Sequence, residues 1–127
     1  MVTIIARVFL ALVGCLYVGL GIWCAVAPQK TSAVVGFTLQ PGSGQSEFLT
    51  VYGGLEVGLG LLFLWPLYRS GDFEFPLAAC LMVHACLVLF RTIGFFSFSG
   101  MSSTTYNVAA AEWVIFLTSA VLFFWKR

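Results

Sequence analysis

Four stretches of the chain, near residues 4–27, 46–68, 75–96 and 105–125, are almost wholly apolar. A helix crosses the hydrocarbon core of a bilayer with roughly 20 such residues. Inside that core each backbone N–H and C=O must be satisfied within the segment, so these stretches have to be helical. The breaks agree with this. Pro28, Gln29 and Lys30 end the first stretch, Ser70, Gly71 and Asp72 part the second from the third, and SFSGMSSTTYN at 97–107 precedes the fourth. The sequence therefore predicts an all-α fold: a single domain over 1–127, built as an integral membrane bundle of four transmembrane helices, multi-pass.

Composition supports that solvent. Of 127 residues 61% are hydrophobic and 9% charged, against roughly 25% charged in soluble domains. A net charge of +1 supplies no basic surface, which excludes nucleic acid and leaves the lipid bilayer as the obligatory partner. Arg7, Arg69, Lys126 and Arg127 fall on one side of the expected topology. The other side has Lys30, with Arg91 only if it reaches that interface. Positive flanks collect in the cytoplasm, so both termini are expected there. The connections 28–45 and 97–104 then share the outer side, where they can fold over the bundle as a lid.

The first stretch imitates a signal peptide, with Arg7 ahead of an apolar run and Ala25-Val26-Ala27 at its end. Pro28 directly after that site and the long uncharged run from Val8 to Ala27 argue for a retained helix. Cys15, Cys24, Cys80 and Cys86 all lie in predicted helices and form no CxxC pair. Cys15 and Cys24, nine residues apart, fall on opposite helix faces, so the cysteines read as small buried hydrophobes and not as a redox pair.

In VYGGLEVGLGLLFLW, residues 51–65, Glu56 is the sole ionisable group. Helical spacing puts Tyr52, Gly53, Gly60 and Phe63 on its face. Glycines in a membrane helix mark close helix contacts, so this face turns into the bundle. Gly54 and Gly58 add a GxxxG spacing. On the first helix Gly14, Tyr17 and Gly21 repeat the arrangement, and VGLG occurs at both 18–21 and 57–60; four shared residues are too few to establish a duplication.

The third helix carries Cys80, His84, Leu87 and Arg91 on one stripe, and the fourth carries Thr105, Ala109, Glu112 and Ser119. At 1.5 Å per residue from the outer ends, Glu56 and His84 lie roughly 15–18 Å deep, and Arg91 and Glu112 roughly 8–12 Å. An isolated charge at mid-bilayer costs about 2.5–3.5 kcal/mol. Arg91 therefore needs a carboxylate, with Glu112 at its depth and Glu56 as the other possibility. Glu56 lies beside His84, and Tyr17 and Tyr52 add hydroxyls. Such pairs can also serve only to fix helix register. One histidine without a second ligand at diagnostic spacing predicts no metal and no cofactor.

YVGLGIW at 17–23, Pro28, GFTL at 36–39, Glu47, YGGLEVGLGLL at 52–62, His84, Arg91 and Glu112 resemble the small four-helix membrane proteins grouped as domain of unknown function 4345, which are similar to DoxX-like proteins. The resemblance covers nearly the whole chain. It implies a four-helix bundle in a membrane and no established activity. FFSFS at 95–99 and FFW at 123–125 fall outside it.

Three functions fit these residues. The first is a pocket for a lipophilic small molecule, roofed by 28–45, with Glu56 and His84 as candidates for cofactor-free acid–base catalysis and Tyr17, Glu47, Tyr52, Arg91 and Glu112 as ligand contacts. The second is a non-catalytic subunit of a larger membrane complex, or a homo-oligomer, joined through aromatic outer surfaces. The third is a small proton-coupled transporter in which a membrane glutamate alternates between a proton and a cationic substrate.

Overall fold

The computed structural model describes residues 1–69 and 71–125. Helix α1 spans Val2–Val26, α2 Pro28–Val34, α3 Ser43–Tyr68, α4 Glu74–Ser97 and α5 Ser103–Trp125, and no strand occurs among the described residues. Helices α1, α3, α4 and α5 are each long and apolar enough to cross a membrane, with mean hydropathy between 1.6 and 2.2. The protein is a multi-pass integral membrane protein. Ser70 of the expected turn, and Lys126 and Arg127 of the expected positive flank, lie outside the described residues.

Only 22% to 28% of each span is buried by the protein itself. Ile4, Leu12, Met82, Phe90, Phe96 and Phe124 point outward. In water this surface would drive aggregation, whereas in hydrocarbon it carries no penalty. Of the four cysteines, all free, Cys80 is buried, Cys24 is partly covered, and Cys15 and Cys86 are exposed. The expectation of burial thus holds fully for Cys80 alone. A thiol is apolar enough to face lipid, which removes the pressure to bury it.

The spans form two antiparallel pairs, α1 with α3 and α4 with α5. Ala6, Leu10, Val13, Phe63, Phe73, Leu77, Cys80 and Leu122 close the half of the bundle near the N-terminus into one apolar core drawn from both pairs. In the other half the buried positions include Gly21, Phe48, Gly53, Val88, Ala109 and Glu112, a mix of small, apolar and polar groups.

The α1–α3 seam is built on glycine. A Cβ at Gly21 would stand 2.9 Å from both the Gly53 carbonyl oxygen and the Val57 nitrogen, and one at Gly60 2.8 Å from both the Gly14 oxygen and the Val18 nitrogen. These contacts are the same contact twice, exchanged by a local two-fold axis between the helices. The sequence carries the same symmetry: GCLYVGLG at 14–21 and GGLEVGLG at 53–60 match at Gly14/Gly53, Leu16/Leu55, Val18/Val57, Gly19/Gly58, Leu20/Leu59 and Gly21/Gly60. The GxxxG pair does not belong to the seam, since a Cβ at Gly54 or Gly58 would meet nothing within 4 Å.

At the end of α1 away from the N-terminus Pro28 starts α2, where its missing N–H has no helical partner to lose. Gly36 and Gly42 adopt φ of 83° and 79°, a backbone region that glycine enters without strain, and these bends return the chain to α3. Phe37 then packs at 5.7 Å from Tyr52 and 6.4 Å from Phe48. The 28–45 connection is thereby anchored on the first turns of α3.

Candidate functional site

Residues Leu49–Leu55 of α3 form a π-helix directly ahead of Glu56. Bonds from i to i+5 widen the turn, so residues four apart lie more nearly one above the other than in an α-helix. Tyr52 lies within this segment and Glu56 directly after it, and both are partly exposed. Tyr52 stacks on Phe48 with ring centroids 4.6 Å apart.

His84 is fully buried on α4. Its Nδ1 lies 2.8 Å from the Cys80 carbonyl oxygen, and its Nε2 lies 3.0 Å from the Tyr17 hydroxyl across the two helix pairs. A carbonyl only accepts, so Nδ1 carries the proton and Nε2 accepts from Tyr17. The Tyr17 hydrogen is thus committed to His84, and its oxygen lone pairs remain for another donor. Phe63 holds this arrangement edge-on, 5.4 Å from the Tyr17 ring.

Arg91 and Glu112 join α4 to α5 as a bidentate pair, Nε to Oε2 at 2.9 Å and Nη2 to Oε1 at 2.6 Å. The depth-based expectation of this pair is met, with Glu112 taken and not Glu56. The guanidinium keeps Nη1 free of hydrogen bonds among the described residues. Glu56 makes no hydrogen bond or ion pair among the described residues. The expected Glu56–His84 pair is therefore replaced by Tyr17–His84. Glu47 is exposed near the start of α3, away from this polar band.

A groove of about 470 Å³ opens beside Arg91. Cys86, Leu87, Phe90, Gly94, Phe95, Phe98, Met101 and Thr105 form its other walls. Its volume lies within the roughly 300–1,000 Å³ typical of small-molecule sites. One-helix periodicity does not place this groove, the π-helix or the Tyr17 contact. Tyr17 had a signal in its depth, which matches that of His84, and the phenylalanines of FFSFS signalled the groove wall. No cluster of three or more metal-ligating side chains occurs among the described residues.

A multi-pass helical membrane protein with a polar band between two helix pairs is the class these features define. The family described as Domain of unknown function (DUF4345) matches residues 5–125, and the chain belongs to that family. No curated protein and no solved structure matches it.

Proposed function

We propose that the protein binds a lipophilic small molecule with a hydrogen-bond-accepting end, seated in the groove between α4 and the start of α5. The observation that carries this reading is the groove's composition: apolar and aromatic walls around the Arg91 guanidinium. Glu112 holds that guanidinium in place and leaves Nη1 to donate to the ligand. Tyr17, His84 and Glu56 do not line this groove, so acid–base chemistry at them is a separate part of the proposal: His84 has both ring nitrogens engaged, and a ligand there would meet the Tyr17 oxygen and the unpaired Glu56 carboxyl. The charge asymmetry of Arg7 and Arg69 against Lys30 supports cytoplasmic termini.

The test is gentle purification followed by mass spectrometry of bound small molecules, for wild type, Gly94→Leu and Glu56→Gln. Gly94 lines the groove and an added Cβ there meets nothing within 4 Å, so a leucine enters the groove without displacing the backbone. The expected result is a defined lipophile retained by wild type and lost from Gly94→Leu. Equal retention by both would refute the groove. Copurifying proteins without a small molecule would favour the subunit reading. Cation uptake driven by a pH gradient in proteoliposomes, abolished in Glu56→Gln, would favour transport.

A further inference from the structure

Arg91 reaches the groove as one half of a neutral pair. Its Nε and Nη2 are bound to the two Glu112 carboxylate oxygens at 2.9 and 2.6 Å, so the charge of the guanidinium is compensated before any ligand arrives. What remains for a ligand is a donor, Nη1, without a net charge behind it. Among the described residues no second cation stands on the groove's wall, where the polar groups besides Arg91 are the Cys86 thiol and the Thr105 hydroxyl. Thr105 is already engaged by the Ser102 hydroxyl, 3.1 Å away.

Depth sharpens the consequence. Arg91 lies about 9 Å along the helix from the α4 end at Ser97, and Phe90 beside it is 71% exposed on a membrane span, so this flank of the groove faces hydrocarbon. Like charges there repel with little screening, and an uncompensated charge is expensive. A carboxylate or phosphate on Nη1 would stand a guanidinium's width from the Glu112 carboxylate and turn a neutral pair into a group with net negative charge. A ketone, ester or amide oxygen accepts the same N–H and adds no charge, while the bond keeps the strength of one made by an ionised donor.

We propose that the groove selects a neutral lipophilic carbonyl compound over the corresponding lipophilic anion, and that Glu112 sets this preference by cancelling the charge of Arg91. The selection rests on the groove reading proposed above and names the class of its ligand. Glu112 is then a specificity-determining residue that acts through Arg91, since it does not itself line the groove.

Three probes with one ring and one tail separate the possibilities: para-decylacetophenone, para-decylbenzoate and decylbenzene, titrated in mildly alkaline buffer where the benzoate is ionised, with bound probe counted by native mass spectrometry. Wild type should retain the acetophenone roughly ten-fold or more better than either of the others, the scale of a hydrogen bond to a charged group. Glu112→Gln keeps the shape and one acceptor for the guanidinium and removes the compensating charge, so the preference should reverse in favour of the benzoate. Benzoate bound by wild type as tightly as the acetophenone, with both lost from Gly94→Leu, would overturn the charge selection and leave the groove standing. Acetophenone retained undiminished by Gly94→Leu would overturn the groove and the selection together. An unchanged preference in folded Glu112→Gln would also overturn the role of Glu112, and if that variant does not fold, the ranking of the three probes on wild type decides.

Discussion

The two helix pairs solve one problem by opposite means. Lipid provides no hydrophobic drive between helices, so a seam must rest on close van der Waals packing or on polar contacts. The α1–α3 seam uses the first. Gly14, Gly21, Gly53 and Gly60 bring two backbones into contact across a local two-fold axis. The α4–α5 seam uses the second, through the bidentate Arg91–Glu112 pair and the stacking of Phe95 on Tyr106 at 5.3 Å. One seam tolerates no added carbon, and the other tolerates no lost charge. The groove lies along the second pair, where a seam held by side chains leaves room between backbones.

The sharpest way to break this contrast is Gly60→Ala. Its Cβ would lie 2.6 Å from Val18 Cγ2 and 2.8 Å from two backbone atoms, which cannot rotate away. The expected loss is about 3 kcal/mol, the upper end of overpacking costs, read as a fall in melting temperature in detergent. Gly58→Ala, two residues away with open space, should instead be neutral or stabilising by up to about 1 kcal/mol. Equal effects at the two positions would remove the distinction between the seams.

Next in size is Arg91→Leu, which strands the Glu112 carboxylate. Breaking a buried pair costs about 3–5 kcal/mol. The Arg91 side chain is 32% exposed, so screening brings the expectation to about 2–3 kcal/mol. Arg91→Lys should recover part of this, since it restores the charge without the two-pronged geometry. Joint replacement of Arg91 and Glu112 by leucine should recover more than Arg91→Leu alone, measured as folded yield. Failure of that recovery would mean that the seam rests on packing after all.

How much of this was legible depended on which physical cue set each feature. The spans follow from hydropathy and breakers, and all eight ends of the four spans fall within three residues of the expected boundaries. The Arg91–Glu112 pair follows from depth, because a charge in hydrocarbon restricts its partner to the same level. The π-helix at Leu49–Leu55 has no comparable cue, since it arises from which carbonyl each N–H finds once Gly53 is pressed against α1. VGLG alone is too short to mark a repeat, whereas the eight-residue frame at 14–21 and 53–60 is what the seam uses. From sequence Tyr17 reads only as an accessory hydroxyl, since reach across helices depends on a register that one-helix periodicity does not contain.

Tyr17→Phe comes third in expected size. It keeps the ring contacts with Phe63 and His84 and removes the hydroxyl that satisfies His84 Nε2. A buried acceptor without its donor costs about 1–3 kcal/mol, and the partial exposure of Tyr17 favours the lower part of that range. The measurement is again thermal unfolding, with the histidine side-chain resonance as the local probe. A shifted imidazole signal with a small stability loss is the expected outcome, and an unchanged signal would remove the hydrogen bond from the account.

The smallest expected effect is at Glu56, and it tests whether the local two-fold extends to function. The axis that exchanges Gly21 with Gly60 also makes Tyr17 and Glu56 equivalent positions on the two helices. Tyr17 is committed to His84, while Glu56 has no hydrogen bond among the described residues and is only partly covered. Glu56→Gln keeps the shape and breaks no protein contact, so the melting temperature of the ligand-free protein should move by less than the equivalent of about 0.5 kcal/mol, the range of unconstrained surface changes. Glu56→Ala should cost more, because removing the side chain beside a glycine seam leaves a gap. A loss above about 2 kcal/mol in Glu56→Gln would show that the carboxyl supports the fold, and would place both equivalent positions in structural roles. A neutral Glu56→Gln that changes which small molecules copurify would leave one of the two positions committed to structure and its partner to the ligand.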